Sequence, residues 1–514
     1  MSAGTIAPRR AQAGPGADRG AGFGRLLHAE WTKFRTVRGW VIGMVAAAVV
    51  ITGIALLDRS SCGGQVTAGG PVVVGHGCGA PVGPGGEAVT DSFYFVHQPL
   101  AGDGSITARL TSLTGGGGPS GLQPWSKAGI IVKAGTRPGS VYAAMLVTAG
   151  HGVRMQYDYT GDIAGSPGAV SPASPRWLRL TRSGTTVTGY ESADGAHWST
   201  VGTVHLAGLP ATVQAGLFAA SPGSSHTTSQ SIGGSSAGSA LTLATARFDQ
   251  VSLRGQRPAA PWAGDPLGGP APGQGFHQAG GAFTVTGTGD IAPGAATATP
   301  VERTLLGAFA GLIAVIVVAA MFMTAEYRRG LVRVTFAATP ARGRVLAAKA
   351  VVIGVVTFLA GLAGSAAALA LGVRLLRSNG NFILPVSGFT EVRVVAGTAA
   401  VLALTAVLGV ALGAILRRSA GAVTTLIVAI ALPYFFATTL PLLPASAADW
   451  LLRVTPAAGF AIQQTLVRYP QVAASYTPAA GYYPLAPWAG LAVLCGYAAV
   501  ALALAVILLR RRDA

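Results

Sequence analysis

Six long apolar runs dominate the hydropathy pattern of the chain. Each run has 18 or more residues, which is enough for a helix to cross the hydrocarbon core of a bilayer. The runs are Trp40–Leu57, Thr304–Met323, Val345–Val373, Val394–Leu416, Gly421–Leu443 and Pro487–Leu509. The pattern therefore predicts an all-α bundle of six transmembrane helices. Gly307-x-x-x-Gly311 and Gly409-x-x-x-Gly413 indicate close helix packing within it.

A polar block, residues 58–303, separates the first two runs. From Ser92 to Leu253 it contains short runs of β-formers, such as Lys127–Lys133, separated by Gly, Pro and Ser. Many short strands without helices between them predict an inserted all-β sandwich, jelly-roll-like, over residues 91–254. The flanking segments 58–90 and 255–303 are interpreted as linkers, the second Pro/Gly-rich with one strand in 282–293. The Ser/Gly-rich segment Ser221–Ala240 is predicted to be a mobile loop.

The two ends of the bundle carry further elements. Residues 1–22 have the composition of a disordered tail. Residues 23–39 predict an interfacial amphipathic helix, with Leu27, Trp31 and Phe34 on one face. After the fifth run, Ala445–Arg453 and Ala457–Val467 are predicted to be short helices that dip back toward the membrane.

The net charge of +18 is distributed unevenly along the chain. Residues 58–303 carry 13 Lys+Arg against 12 Asp+Glu, a net of +1, so the remainder carries +17. Because this excess lies beside apolar runs rather than on a polar domain, it indicates membrane topology and lipid contact, not a nucleic-acid partner. The positive-inside rule places the N-terminus, Arg342 and Arg512 in the cytoplasm, and Asp194 and Arg468 outside.

The stretch Glu326–Lys349 joins the second and third runs. Short loops this rich in arginine stay on the cytoplasmic side, and the apolar residues among the charges predict a short amphipathic helix at the membrane surface. Glu326 is predicted to pair with Arg329 or Arg333, or with a basic residue of a partner protein. The alternative is that these charges only fix the topology.

Three cysteines are present. Cys62 and Cys78 lie in the segment placed outside, where an oxidising compartment permits a disulfide, and we predict that they are bridged. Cys495 lies alone in the last run and is interpreted as a free, small core residue. Neither Cys62 nor Cys78 has a C-x-x-C partner, so no metal site is predicted.

The sequence lacks several kinds of catalytic and coupling chemistry. No apolar run carries a charge near its centre, which argues against ion-coupled transport. The chain has no G-x-x-x-x-G-K-[ST] loop, and none of its lysines follows a glycine, so it has no phosphate loop for ATP. We expect no enzymatic activity and no cofactor in this chain, and any transport would take its energy from another subunit.

The predicted β domain resembles the concanavalin-like lectin/glucanase jelly roll. The residues that carry the resemblance are Trp125–Ile130, Trp177–Arg182, Tyr190–Trp198, Ala215–Leu217 and Ala246–Asp249. The resemblance implies an extracellular glycan as a candidate partner, with Trp125 and Trp198 as candidate contacts. The E-x-D-x-x-E carboxylate cluster of the related glucanases is absent from the sequence, so a hydrolase is the least favoured interpretation.

The rest of the chain, residues 23–57 and 300–514, resembles permeases of the ABC-2 export class, in particular those of actinobacterial type. The resemblance rests on six runs, the interfacial helix, the Glu326-Tyr327-Arg328-Arg329-Gly330 motif with its basic loop, and the helical segment before the last run. It implies a dimer, homo- or heteromeric, energised by a separate ATPase subunit that binds the ATP. The residues that it implies contact the ATPase are Trp31, Lys33, Arg35, Glu326, Tyr327, Arg328, Arg329, Arg333, Arg342 and Arg344.

Two functions follow as expectations. The first is the membrane-spanning subunit of an ATP-driven exporter in the plasma membrane, with a large domain outside the cytoplasm. The second is a membrane-anchored glycan-binding or sensing protein without transport, although a single membrane span would suffice for that role.

Overall fold

Helices and strands occupy separate parts of the chain. The computed structural model describes residues 21–58, 80–116, 121–229, 235–256, 260–294, 299–328, 330, 341–438, 443–472, 476, 478 and 481–512. The helices are α1 (Ala21–Thr36), α2 (Arg38–Leu57), α3 (Gly307–Arg328), α4 (Arg342–Ser378), α5 (Gly388–Leu416), α6 (Ser419–Leu426), α7 (Leu432–Thr438), α8 (Ala445–Val454) and α9 (Pro487–Arg512). A 3₁₀ turn, Val301–Leu305, precedes α3, and a π-helical turn, Ile427–Ala431, joins α6 to α7.

Six helical stretches among the described residues are long and apolar enough to cross a membrane. They are α2, α4, α5, α9, the 3₁₀ turn together with α3, and the continuous run from α6 to α7. These coincide with the six predicted runs, so the prediction of six long apolar helices is confirmed. Val37, in an extended conformation, separates α1 from α2 and lets the two helices point in different directions.

Small residues set the helix packing. A Cβ on Gly307 would lie 2.4 Å from the carbonyl oxygen of Ile51 in α2, so α2 and α3 approach as closely as a glycine allows. Gly409 and Gly413 of α5 lie in the same way against Ala319 and Met323 of α3. Both predicted G-x-x-x-G motifs therefore lie at helix contacts.

The segment before α9 contains one helix and one 3₁₀ helix. The predicted helix Ala445–Arg453 is present as α8. The helix predicted over Ala457–Val467 is present in part, as a 3₁₀ helix at Pro456–Gln463 that ends before Val467. Its tighter winding fits a crowded position: Gly490 of α9 lies directly against the Ala458 carbonyl group.

Seventeen strands are described between α2 and α3. They are β1 (Val89–Asp91), β2 (Phe93–Gly116), β3 (Lys127–Lys133), β4 (Tyr142–Thr148), β5 (Gly152–Tyr157), β6 (Gly161–Ala164), β7 (Arg176–Ser183), β8 (Thr186–Ser192), β9 (Ser199–His205), β10 (Thr212–Ala220), β11 (Ser224–Ser229), β12 (Ser235–Ala240), β13 (Leu243–Gln256), β14 (Ala263–Leu267), β15 (Gly275–Ala279), β16 (Ala282–Gly287) and β17 (Ile291–Pro293). The predicted all-β character of this region is confirmed.

The long strand β2 connects two layers of the β domain. Its first half pairs with β10 and β14, and its second half pairs with β7 and β13. The strand bends at Gly102, whose φ of 65° is costly for other residues. Apolar side chains of both layers, such as Ile130 of β3 and Phe248 of β13, share one buried core.

Strand pairing corrects two predicted boundaries. The Pro/Gly-rich linker predicted after residue 254 contains β14 and β15, which join the sheet, and the domain continues to β17. The loop predicted at Ser221–Ala240 contains the hairpin of β11 and β12, although residues 230–234 lie outside the described part. Backbone hydrogen bonds to neighbouring strands determine the structure of these segments. A glycine-rich composition does not prevent such pairing. Cys62 and Cys78 also lie outside the described residues, so their disulfide stays a prediction.

Strand β3 presents different residues on its two faces. Ala128, Ile130 and Val132 enter the shared core, whereas Lys127, Ile131 and Lys133 face the other way, as period-2 alternation requires. That second face is covered by β1 and β17, which pair with each other at the two chain ends of the domain. Lys133 Nζ lies 2.8 Å from Asp91 in β1, and Lys127 Nζ lies 2.6 Å from Asp290 just before β17.

The β domain contacts one end of the helices. The Gln471 side chain donates to the Thr160 carbonyl group at 3.1 Å, and Thr299 pairs with Ile383 beyond the C-terminal end of α4. This end of the bundle, called the domain end below, is the opposite end from Arg328 and Arg342.

Candidate functional site: a buried charge cluster

Four charged side chains meet where α1, α3 and α4 converge, at the end away from the β domain. Glu30 and Lys33 lie three residues apart on α1, which puts them on one helix face. Glu326 lies near the C-terminal end of α3, and Lys349 lies in the third turn of α4. We call these four residues the charge cluster.

The cluster forms a closed ring of ion pairs. Lys349 Nζ lies 2.6 Å from Glu30 Oε2 and 2.6 Å from Glu326 Oε1. Lys33 Nζ lies 2.8 Å from Glu30 Oε1 and 3.0 Å from Glu326 Oε1. Two acids and two lysines balance, so the cluster carries no net charge.

Burial differs within the ring. The side chains of Lys349 and Glu30 are 1% and 2% exposed, whereas that of Lys33 is 38% exposed. Desolvating an ion pair is costly, and removing one partner of a buried pair costs about 3–5 kcal/mol because the other charge is left unpaired. The cluster therefore fixes α1 to the ends of α3 and α4.

Aromatic rings close the cluster on its apolar side. Phe322 of α3 lies edge-on to Phe34 of α1 and to Trp40 of α2, with ring centroids 5.9 Å and 5.0 Å apart. Lys349 Nζ lies 4.8 Å from the centre of the Phe322 ring, within the range of a cation–π interaction. The rings exclude water from the Lys349 side while Lys33 faces the exterior.

The electrostatics favour a charged Lys33. Burial lowers the pKa of its amine, but the hydrogen bond to Glu30 and the charges of Glu326 and Glu30 outweigh burial, and the net pKa is raised above its ordinary value. Lys33 therefore stays protonated throughout the physiological range.

Glu326 has partners other than the predicted ones. Among the described residues, it pairs with Lys33 and Lys349. Arg329 and Arg333 lie outside the described residues, as does most of the predicted amphipathic helix in the loop. The predicted pairing of Glu326 with Arg329 or Arg333 therefore stays a prediction, and the contacts with Lys33 and Lys349 show that Glu326 points into the helix junction.

The other predicted contact residues that the structure describes lie on the same three helices as the cluster. Trp31, Arg35, Arg328 and Arg344 are exposed. Arg342 donates to the Leu509 carbonyl group of α9 at 2.8 Å, so it helps hold two helix ends together. Tyr327 is half-buried, with the Arg417 guanidinium 5.4 Å from its ring centre.

Sequence reasoning missed Glu30 and the role of Lys349. Lys349 lies near the start of the third apolar run, yet its side chain is almost fully buried. One signal was available: Glu30 is the only acid in Phe23–Arg38, a segment rich in basic residues. A single acid in such a basic segment can form an ion pair with a buried lysine of another helix.

Neither predicted glycan-contacting tryptophan presents an open ring in the β domain. Trp125 is 7% exposed, with its ring stacked on His151 at 3.8 Å. Trp198 is half-buried, with the Arg179 guanidinium over its ring at 3.8 Å, and its indole N–H donates to the Gly195 carbonyl group.

The β domain contains a polar cavity of about 230 Å³, and the residues on either side of Trp198 in the sequence help to line it. Its lining includes Arg176, Glu191, Ser192, Asp194 and His197. Glu191 is buried and accepts hydrogen bonds from the backbone and hydroxyl of Ser166. The hydrogen bond from His197 and further bonds from backbone N–H groups lower the pKa of Asp194, and the same contact raises the pKa of His197. Among the described residues, no group of three or more His, Cys, Asp or Glu is placed to hold a metal ion.

Comparison with known proteins gives only weak structural likenesses. No protein-family model matches the chain, and no curated protein matches it. A GH43 protein, BlXynB, from Bacillus licheniformis is 16% identical over 23% of this chain and 24% of its own, with a TM-score of 0.18. A protein of unknown function from Saccharomyces cerevisiae is 18% identical over 33% of this chain and 77% of its own, with a TM-score of 0.20.

A peptidase of the eqolisin family, SCP-B, is similar in the same weak sense. It is 8% identical over 38% of this chain and 98% of its own, with a TM-score of 0.22. This chain thus spans about a quarter of the length of the GH43 protein and nearly all of the peptidase. Likenesses at this level carry no argument about fold or function.

Proposed function

We propose that the chain is the membrane-spanning permease subunit of an ATP-binding-cassette exporter, energised by a separate ATPase subunit. The observation that supports it best is the charge cluster. It makes one rigid unit of α1 and the ends of α3 and α4, and exposed basic and aromatic side chains surround that unit. A partner that moved α1 would therefore move two apolar helices directly.

The charge distribution supports an orientation for this proposal. Arg328, Arg342, Arg344 and the arginines of the α9 terminus gather at the cluster end, which the positive-inside rule assigns to the cytoplasm. The β domain lies at the other end, which under this proposal faces the outside of the plasma membrane. The surface around Trp31 and Arg35 then faces the compartment where ATP is available.

The test is charge reversal on the exposed surface, which leaves the buried ring intact. Arg35→Glu combined with Arg328→Glu should reduce ATPase co-purification from the native membrane about tenfold or more, because rim charges select the partner. Arg453→Glu, an exposed arginine at the domain end of the bundle, is the matched control and should have no effect. Unchanged co-purification of the double variant would refute the assignment of this surface.

A second function, glycan binding by a membrane-anchored domain, is favoured by the polar cavity around Glu191. Its carboxylate, guanidinium and hydroxyl groups suit hydroxyl-bearing ligands, and 230 Å³ suits a small one. Under this alternative no ATPase would co-purify with the wild-type protein. Glycan-array binding would be retained by the Arg35→Glu/Arg328→Glu variant and lost in Glu191→Gln.

A further inference from the structure

A groove of about 540 Å³ runs between α4 and α5 toward the domain end of the bundle. Leu362, Leu369 and Val373 of α4 form one wall, and Val392 and Val395 of α5 form the other. The volume lies within the usual range for small-molecule sites. Almost all of the wall is apolar, and the exceptions are gathered at one end.

The polar end of the groove carries two arginines and one acid. Arg374 and Arg377 project from the last turns of α4, three residues apart and therefore on one face, and Glu391 faces them from the first turn of α5. The described residues supply neither guanidinium group with an ion-pair partner. The groove thus ends in an excess of one positive charge.

Small residues open the groove, and close packing beneath them gives it a floor. Ala366, Ala370 and Ala396 line it where larger side chains would fill it. Behind them, the Ser365 hydroxyl donates to the Val395 carbonyl group at 3.2 Å, and Gly361 lies against Ala399. The groove is therefore a fixed feature of the α4–α5 contact.

The dimensions of the groove match one leaflet of a bilayer. From Leu362 to Val373 the helix rises about 16 Å, at about 1.5 Å per residue, which is roughly half of the 30 Å hydrocarbon core. Lys349, at the opposite end of α4, lies about 38 Å from Arg374 by the same rise. If Lys349 marks the inner edge of the membrane, Arg374 and Arg377 lie at the outer headgroup level.

We propose that this groove binds an anionic phospholipid of the outer leaflet, with an acyl chain along the apolar wall and the phosphate at Arg374 and Arg377. Guanidinium groups suit phosphate because they donate two parallel hydrogen bonds to it. The excess positive charge favours an anionic lipid over a zwitterionic one. The proposal rests on the membrane placement proposed above, and it does not depend on transport.

The test uses the full-length protein in nanodiscs that contain phosphatidylcholine and phosphatidylglycerol in equal amounts. Native mass spectrometry should find phosphatidylglycerol retained in preference. Arg374→Gln combined with Arg377→Gln should reduce that preference about tenfold, the equivalent of about 1.4 kcal/mol. Arg453→Gln, an exposed arginine at the same end but outside the groove, is the control.

Two further arms separate a lipid from other occupants. Ala366→Phe fills the groove and leaves the arginines in place, and it should abolish the preference. Soluble glycerol phosphate should not compete, because it lacks the chain. Photoactivatable phosphatidylglycerol should label residues 362–396 of the wild-type protein, which tests the site without any substitution.

Each opposite result overturns the proposal. Competition by glycerol phosphate with no effect of Ala366→Phe would indicate a plain anion site. A change in dimer fraction instead of lipid retention would assign the groove to a second copy of the chain. A protein that stays soluble without detergent would refute the membrane placement itself, whereas an inserted protein without lipid preference would refute only this groove.

Discussion

Buried lysines stabilise both parts of the molecule, but they do so in different ways. In the β domain, Lys133 and Asp91 are both fully buried, and β1 and β17 cover them. In the helices, Lys349 bridges two acids from elements up to 319 residues away in sequence, and Lys33 leaves one side of the ring open to the exterior.

The fully buried Lys133–Asp91 pair and the partly exposed charge cluster indicate different roles. Asp91 and Asp290 lie where the chain enters and leaves the β domain, and both pair with lysines of β3. Those pairs therefore hold the entering and leaving segments of the chain against the domain. The charge cluster lies on helices that also carry the exposed Arg35, Arg328 and Arg344, and the proposed function uses it to respond to a partner. This contrast distinguishes a structural use of buried charge from the positioning role proposed for the cluster.

The largest expected effect comes from Lys349→Met. It leaves the carboxylates of Glu30 and Glu326 close together with only Lys33 between them, and we expect a loss of about 3–5 kcal/mol of stability. Thermal unfolding of the detergent-solubilised protein measures it. Lys33→Met, at a half-exposed position, is the control and should cost less than about 1 kcal/mol.

The same variant also separates charge from packing. Adding Glu30→Gln and Glu326→Gln to Lys349→Met removes the buried charges altogether and should recover most of the lost stability. An unfolding midpoint that stays as low as in Lys349→Met alone would show that lost packing, not unpaired charge, causes the defect.

A smaller and more local effect is expected from Lys133→Met. The Asp91 carboxylate then keeps only its hydrogen bonds from the Tyr159 hydroxyl and the Gly139 N–H, and we expect a loss of about 3 kcal/mol. Hydrogen exchange should become faster in β1 and β17 and stay unchanged in α4. Faster exchange in α4 as well would contradict the separation of the two charge systems.

The sequence predicted those parts of the fold that depend on local patterns. Apolar runs placed the six long helices, and alternating β-formers such as Lys127–Lys133 placed the strands. It failed where distant backbone or side chains decide the outcome. The strands β14 and β15 lie in Pro/Gly-rich sequence and exist because β2 and β16 supply hydrogen-bonding partners.

The sequence predicted where the candidate site lies but not which side chains pair within it. Glu326 and Lys33 were both singled out, yet their contact joins residues 293 positions apart, which no helical spacing indicates. Glu30 was missed because its local pair with Lys33, at i,i+3 spacing, does not reveal that a buried lysine of α4 also contacts it. Side-chain direction at a three-helix junction depends on the packing of all three helices.

The smallest expected effect concerns an exposed pair, which extends the comparison to charges that water screens. His197 Nδ1 lies 2.7 Å from Asp194 Oδ2 at the surface of the β domain. Because this contact raises the pKa of His197, its stabilising contribution is complete below about pH 6.5 and is lost as the pH rises through the folded pKa. The pKa of Asp194 is lowered, so its own contribution is present above about pH 3.9 and is lost on further acidification.

Carbon-13 NMR of the histidine ring should show that Asp194→Asn moves the His197 midpoint down toward its ordinary value. The unfolding temperature at pH 7 should barely change, because an exposed pair is worth little. Equal midpoints in the variant and the wild type would mean that the carboxylate does not hold the proton on His197, and an unfolding temperature reduced as far as in Lys133→Met would remove the distinction between exposed and buried pairs.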